Sequence, residues 1–129
     1  MKKITILLVI IFSFLFSTTS WGDWNYVIKT INGIKFYYDK SRVRKNGKYI
    51  YFWELSDFIK PLDRSWSSTK YVQLDCSIFR FKWLRIRGYE NNMGEGEITR
   101  DYTPIDEWDY PPSKSTIGVM YNRICKEHK

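Results

Sequence analysis

Polar and apolar side chains alternate along much of the chain after residue 24, which is the pattern of half-buried β-strands. Asn32-Gly33 separates two such runs, and Asn46-Gly47 separates the next two. Because Asn and Gly accept the positive φ angles of tight hairpin turns, each pair predicts a β-hairpin. The strand after the second turn alternates between two sets of side chains: Tyr49, Tyr51, Trp53 and Leu55 against Ile50, Phe52 and Glu54.

A stretch of 21 residues from Thr69 to Tyr89 also has the composition of a strand throughout. As one strand it would be about 70 Å long at roughly 3.3 Å per residue, which is far longer than a small domain. We therefore expect it to fold back at residues 75–78 and to form a hairpin. The preceding segment, residues 60–70, combines Pro, Ser and charged residues without a regular period and predicts a loop.

The returning strand of this hairpin interrupts its alternation once. Phe81 and Trp83 occupy one face, but Trp83 is followed directly by the apolar Leu84, and the alternation resumes one step later. One inserted residue of this kind predicts a β-bulge. With the bulge, the cations of the strand all point to one side: Arg80, Lys82, Arg85 and Arg87.

The end of the chain changes from a strand period to a helix period. Pro111-Pro112 would stop any preceding strand, and Ser113 would cap a helix. Apolar residues then recur at the spacing of one face of an amphipathic helix: Ile117, Met120, Tyr121 and Ile124. The whole pattern predicts a single α+β domain, an antiparallel sheet of about six strands with one C-terminal helix packed on it.

The first 22 residues have the order of a secretory signal peptide. Lys2 and Lys3 precede an apolar run over residues 4–16, and the small residues Ser20 and Gly22 stand where a signal peptidase requires them. The run is shorter than the roughly 20 residues that span a bilayer, so a membrane anchor is the weaker interpretation. We expect removal of residues 1–22 and an exported mature domain of residues 23–129, with no membrane span after cleavage. Its location would be periplasmic, at the cell surface or extracellular.

Composition and cysteine count agree with a folded, exported domain. Aromatic residues make up 19% of the chain, far more than in a disordered polyelectrolyte. Removing Lys2 and Lys3 from the 21 basic side chains leaves 19 against 14 acidic ones, so the mature domain is basic. Two cysteines in an exported chain predict a disulfide between Cys76 and Cys125, which would pin the helix onto the sheet. Two free buried thiols, or half of a zinc site, are the alternatives.

Four segments carry a family resemblance when they are taken in order: FYYDKSRVRKNGKYIYFWELSDF, SSTKYVQLDCSIFRFKWLRIRGY, MGEGE, and EWDYPPS with the final RIC. Together they resemble the surface-adhesin protein E family of exported bacterial domains, from about Trp24 to Cys125. The resemblance implies a sheet-plus-helix domain with a Cys76–Cys125 bridge. It also implies adhesion to host matrix glycoproteins such as vitronectin and laminin, and a homodimer. Family adhesins with a lipid anchor have an N-terminal cysteine, and no cysteine stands directly after the apolar run here.

The chain offers little that points to catalysis. Its one histidine, His128, lies beside the last residue, and neither a phosphate-binding glycine loop nor a zinc spacing is present. We interpret two acidic clusters, Glu95/Glu97 and Asp106/Glu107/Asp109, as solvated loop charges, since a hydrolase would need two of these carboxylates in one cleft. We therefore expect no enzyme activity, no cofactor and no metal.

The candidate functional residues are basic. We hypothesise a cationic face made by the four strand cations and extended by three residues of the adjoining loop: Lys60, Arg64 and Lys70. Such a face would attract an acidic glycoprotein or another polyanion. The simpler interpretation places the rings of this strand in the core and its cations in solvent. Nucleic acid is not expected, because rings and cations alternate on opposite sides of the strand, whereas stacking platforms need them together.

Two functions of other classes compete with adhesion. One is a periplasmic structural or envelope protein without a host ligand, which the lack of a lipoprotein cysteine favours. The other is a small secreted hydrolase.

Overall fold

The computed structural model describes residues 22–129, so the expected signal peptide lies outside the described residues apart from Gly22. One helix, α1, spans Thr116–Glu127. The strands of the described part are β1 Trp24–Lys29, β2 Lys35–Asp39, β3 Arg44–Asn46, β4 Tyr49–Leu62, β5 Ser65–Asp75, β6 Arg80–Tyr89 and β7 Ile98–Tyr102. They form one sheet in the order β1-β2-β4-β5-β6-β7, with β3 paired to β4, and every pairing is antiparallel. The predicted α+β architecture is confirmed.

Both Asn-Gly turns lie where the sequence predicts them. Gly33 has a φ of 91° between β1 and β2, and Gly47 has a φ of 64° between β3 and β4. These angles fall in the left-handed region that glycine enters without a steric cost. The first two hairpins of the sheet are therefore set by local turn chemistry.

The prediction of a loop over residues 60–70 is wrong. β4 continues to Leu62 and β5 begins at Ser65, so Asp63 and Arg64 alone form the turn. Both have positive φ, 51° and 63°, as a two-residue turn that follows the strand twist requires. The polar composition of this segment reflects an exposed hairpin tip, which needs no apolar face.

The β5–β6 hairpin follows the prediction closely. The chain folds back between Asp75 and Arg80. Trp83 pairs with Val72 and Arg85 pairs with Tyr71, so Leu84 is the extra residue of the bulge. The bulge moves the side chains that follow it by one step, which keeps the cations of β6 on one side.

The helix packs on one face of the sheet. Met120, Tyr121 and Ile124 are fully buried in a core that includes Tyr38 and Phe52. This apolar stripe is the one that the helix period predicts, and it fixes which face of the sheet is covered.

The N-cap of the helix is Ser115, and the prediction of Ser113 is wrong. Ser115 Oγ accepts a hydrogen bond from the backbone N–H of Gly118 at 3.0 Å. Residues 113 and 114 belong to a turn closed by Ser115 N–H and the carbonyl of Pro112. Gly118 is required there, since a Cβ would lie 2.0 Å from the Pro112 oxygen.

The predicted disulfide is confirmed. Cys76 and Cys125 are joined, with their Cα atoms 5.8 Å apart, so the β5–β6 turn is linked to the last turn of α1. Among residues 22–129, no helix is long and apolar enough to cross a membrane.

A carboxylate is enclosed beneath the helix. Glu54 is fully buried in β4, and its Oε1 accepts a hydrogen bond from the Tyr121 hydroxyl at 2.6 Å. Trp83 Nε1 donates in turn to the Tyr121 oxygen at 3.2 Å. Burial raises the pKa of Glu54, although the charge of Lys70 acts in the opposite direction.

Candidate binding face

The face of the sheet that points away from α1 carries the cations of β6. In β5 and β6 the register pairs Gln73 with Lys82, Tyr71 with Arg85, and Thr69 with Arg87. Paired residues of an antiparallel sheet point to the same side. We call the open face the following set of side chains: Tyr51, Trp53, Tyr71, Gln73, Arg80, Lys82, Arg85 and Arg87.

Three of the four cations lie beside an acidic side chain of the surface. Lys82 Nζ lies 2.7 Å from an oxygen of Asp106. Arg85 Nε and Arg87 Nε share Asp101, at 2.6 and 3.4 Å from its Oδ1. The hydrogen bond from Arg85 holds the pKa of Asp101 below its ordinary value. The open face is therefore a mixed-charge surface in which each surface cation already has an acidic neighbour.

Arg80 differs from the other cations because its carboxylate partner is buried. Its Nε donates to Asp75 Oδ2 at 3.0 Å, and 18% of its side chain is exposed. Asp75 is fully buried, and its other oxygen accepts from both the N–H and the O–H of Ser77. Burial pushes the pKa of Asp75 upward, but these donors and Arg80 outweigh it and lower the pKa below its ordinary value.

Aromatic rings from neighbouring strands share the open face with the cations. The ring centroids of Trp53 and Tyr71 are 5.0 Å apart, and the guanidinium of Arg87 lies 5.3 Å from the Trp53 centroid. Tyr51 stacks on Tyr71 with 6.2 Å between centroids. The expectation that rings and cations lie on opposite sides holds within β6, where Phe81 faces the core, but it is wrong for the sheet. β4 and β5 supply the rings that β6 lacks.

Trp108, from the segment between β7 and α1, closes one end of the open face. Its ring centroid lies 4.1 Å from the guanidinium of Arg80 and 4.6 Å from Lys82 Nζ. Backbone hydrogen bonds of 2.9 Å in both directions between Phe81 and Asp109 hold this segment against β6. The sequence carries no local signal for this contact, because it depends on the path of a long connection.

A groove of about 410 Å³ extends the open face towards β3. It is lined by Trp53 and Tyr71 together with Ser41, Arg42, Val43 and Arg44. Arg42 Nε donates to the buried Asp39 at 2.5 Å, and Arg44 is exposed. Sequence reasoning missed both arginines, although their alternation in the segment SRVRK was the available signal.

The three remaining predicted cations do not join this surface. Lys60 and Arg64 are exposed near the β4–β5 hairpin tip, and Arg64 is 11 residues, or roughly 36 Å at about 3.3 Å per residue, from Asp75, the partner of Arg80. Lys70 lies on the helix side of the sheet, where its Nζ is 4.5 Å from the centroid of the Trp83 ring. The predicted extension through Lys70 is wrong because residues 60–70 form a strand pair, in which neighbours alternate between faces.

The acidic clusters lie on the surface. Glu95, Glu97, Asp106, Glu107 and Asp109 are exposed, in agreement with solvated loop charges. Among residues 22–129, no three His, Cys, Asp or Glu side chains are grouped as a metal site would require.

Comparison with known proteins identifies the family. The family model described as surface-adhesin protein E matches residues 24–126. A structure of Haemophilus influenzae protein E is similar with a TM-score of 0.63 and 16% identity, covering 86% of this chain and 90% of that chain. Its selenomethionine form has a TM-score of 0.62 and 16% identity, covering 84% and 91%. Protein E of non-typeable Haemophilus influenzae has a TM-score of 0.59 and 16% identity, covering 84% and 80%.

At this identity the solved structures show a shared fold and carry no statement about a ligand. A comparison with curated protein sequences finds no match for this chain. The family match spans most of the described residues, and the chain belongs to the surface-adhesin protein E family.

Proposed function

We propose that this protein is an exported, non-enzymatic binding domain that adheres to an acidic protein partner through its open face. Membership of a surface-adhesin family implies an exported or cell-surface protein of adhesin type. The partner and the surface that binds it are the proposal. The observation that supports it is the combination of Trp, Tyr and Arg side chains on the face of the sheet that α1 leaves uncovered.

This composition is that of a protein interface. Trp, Tyr and Arg carry a disproportionate share of binding energy at interfaces, because each offers a large contact area together with hydrogen-bond donors. Trp53 and Tyr71 are half-buried rings in mutual contact, and Arg85 and Arg87 flank them on the next strand. The simple solvated face of an antiparallel sheet is polar and does not collect rings.

The acidic neighbours of the cations favour an acidic partner. Exposed ion pairs contribute little to stability, since both groups are already well solvated. Arg85, whose side chain is 41% exposed, can therefore exchange Asp101 for a carboxylate of a partner at little cost. Association through such contacts weakens as salt rises, because the attraction is screened.

A charge reversal with a matched control tests the proposal. Lys82→Glu combined with Arg85→Glu changes the open face and leaves the Asp75–Arg80 pair intact. Lys114→Glu combined with Lys126→Glu makes the same change in net charge at exposed positions of α1 and the turn before it. We expect binding to immobilised vitronectin or laminin to weaken at least roughly tenfold in the first variant and to stay unchanged in the second.

Three results would overturn the proposal. Equal affinity of the two variants would remove the open face from adhesion. Tighter binding of single-stranded poly-dT than of either glycoprotein would indicate that the rings and cations hold nucleic acid instead. Protection of the protein from protease on intact cells, with digestion after the outer membrane is permeabilised, would favour the periplasmic envelope role.

A further inference from the structure

Three residues that each carry a buried polar atom without a hydrogen-bond partner among residues 22–129 line one small cavity. The atoms are Nε1 of Trp24, Oγ1 of Thr69 and Nε of Arg87. All three residues line a cavity of about 80 Å³ on the side of the sheet that bears the open face. The remaining buried atom of this kind in the described part of the chain belongs to Glu54, beneath the helix.

The sheet register places two of these residues side by side. Thr69 on β5 pairs with Arg87 on β6, so their side chains are cross-strand neighbours. Thr69 is 4% exposed, so bulk solvent cannot form a hydrogen bond with its hydroxyl. Buried polar groups are almost always paired, so unpaired groups on residues that line one cavity point to a missing partner.

The chemistry of the three groups defines that partner. An indole N–H and a guanidinium Nε–H donate hydrogen bonds and accept none, and a threonine hydroxyl can donate as well. The missing group must therefore be an acceptor. Because Arg87 is ionised, a charged acceptor binds it more strongly than a neutral one.

Local charge and size restrict the acceptor further. Arg42 also lines the cavity, but its Nε is committed to Asp39. Arg87 Nε lies 3.4 Å from Asp101 and makes no hydrogen bond to it. Two arginines facing two aspartates leave little excess positive charge, which suits a singly charged group better than a phosphate or sulfate dianion.

The walls suit a short apolar stem. Trp24, Trp53 and Tyr89 contribute rings, and Gly94 contributes backbone. A volume of about 80 Å³ exceeds the space that one water needs and is too small for a sugar or a nucleotide. Gly22 forms part of one wall, so the expected cleavage after Gly22 would open the cavity at that side.

We propose that this cavity binds one carboxylate group, held by Trp24, Thr69 and Arg87. The group can belong to a free short-chain acid or to an Asp or Glu side chain of a bound protein. Only the second source rests on the proposed function, and there it would give the adhesive surface a defined anchor point.

The test is a titration of the processed protein, recovered from exporting cells, monitored through its indole N–H signals by NMR at constant ionic strength. The probes are acetate and a blocked Gly-Glu-Gly peptide, with sodium sulfate and the Gly-Gln-Gly peptide as controls. Trp24→Phe assigns the Trp24 signal by removing it. We expect a saturable shift of that signal with acetate or the Glu peptide, and none with the Gln peptide.

Two variants and a matched control locate the binding. Thr69→Val removes the hydroxyl and keeps the shape, and Arg87→Lys keeps the charge and removes Nε. Each should weaken carboxylate binding roughly tenfold or more, as expected for one lost hydrogen bond to a charged group. Arg100→Lys, at an exposed position of β7 outside the cavity, should leave it unchanged. If Thr69→Val does not fold, the comparison is made between Arg87→Lys and the control variant.

The outcomes separate this proposal from the adhesive function. Acetate binding that persists in the Lys82→Glu, Arg85→Glu variant supports the cavity even if adhesion is absent. Binding of the Glu peptide without acetate supports a protein source, and binding of acetate supports a free acid. The proposal is overturned by the absence of any saturable shift, by equal affinity in Arg87→Lys and Arg100→Lys, or by sulfate binding as tightly as acetate.

Discussion

Two fully buried carboxylates, Glu54 and Asp75, lie on opposite faces of the same sheet and respond to burial in opposite directions. Glu54, beneath the helix, has one hydroxyl donor at Oε1, and its Oε2 has no partner among residues 22–129. Asp75 has Ser77 at one oxygen and Arg80 at the other. The pKa of Glu54 is raised, and that of Asp75 is lowered.

The difference follows from position along the strand. Glu54 lies in the middle of β4, where the surrounding backbone N–H groups are used in the sheet ladder. Asp75 is the last residue of β5, and the turn that follows has free N–H groups that an aspartate oxygen can accept. Asp39, at the end of β2, repeats the arrangement with Ser41 and Arg42. A strand end can therefore stabilise a buried charge with local donors, whereas a strand centre depends on whatever packs above it.

The largest effect comes from removing the link that holds the helix over Glu54. Cys76→Ser with Cys125→Ser should lower the free energy of unfolding by about 4 kcal/mol, because a closed segment of 49 residues regains its freedom in the unfolded chain. Urea unfolding measures this difference. Reduction of the unaltered protein by dithiothreitol should give the same loss, and a much smaller loss in either experiment would contradict the expectation.

Asp75→Asn should cause the next largest loss, about 2 kcal/mol at pH 7, since it removes hydrogen bonds to a charged acceptor. Asp106→Asn, an exposed carboxylate beside Lys82, is the control and should change stability little. The depressed pKa of Asp75 gives a second test. Its contribution is present above roughly pH 4, the ordinary range of an aspartate, and is lost as the pH falls through the lowered value. The difference between variant and parent should therefore shrink in acid.

Glu54→Gln should have the opposite sign. A raised pKa means that the contribution of Glu54 is present below roughly pH 4.3 and is lost as the pH rises through the raised value. A glutamine amide cannot ionise, so the variant should gain stability over the parent as the pH increases. Denaturant unfolding at pH 4 and pH 8 measures the gain. Glu97→Gln, at an exposed loop position, should show no such pH dependence.

The strands and the helix could be predicted because their signals are local. The Asn-Gly turns, the period-two alternation and the Trp83-Leu84 interruption each act within a few residues, and the structure confirms them. The sequence does not predict the Asp63-Arg64 turn, because the glycine that usually follows Asp in a two-residue hairpin turn is replaced by Arg64. Residues 60–70 therefore show no regular alternation in the sequence, and the prediction places Lys70 on a face that it does not occupy.

The site itself depends on long-range register. Trp53 and Tyr71 meet Arg87 because three strands align across the sheet, and no segment of sequence shows that alignment. The cavity is lined by residues as far apart in the sequence as Trp24 and Gly94. The sequence therefore could not predict that they lie together. The prediction that rings and cations lie on opposite faces holds within β6. It is wrong for the whole sheet, because β4 and β5 place rings on the face that carries the cations of β6.

The smallest effect on stability should come from Asp101, and this last variant extends the comparison to an exposed carboxylate. Like Asp75, Asp101 accepts from an arginine and has a lowered pKa, but it lies on the surface, where water can replace Arg85 when the bond is lost. Asp101→Asn should therefore leave the urea midpoint unchanged within error.

The same variant would release Arg85 and Arg87 towards the partner. Affinity for an acidic glycoprotein should therefore rise severalfold at low salt, and the gain should fade as salt increases. Glu97→Gln makes the same change in net charge away from the open face and should give no gain. A large loss of stability in Asp101→Asn would mean that solvent does not compensate on the open face, and that the contrast between surface and buried carboxylates fails. An unchanged affinity would mean that the two arginines do not contact the partner.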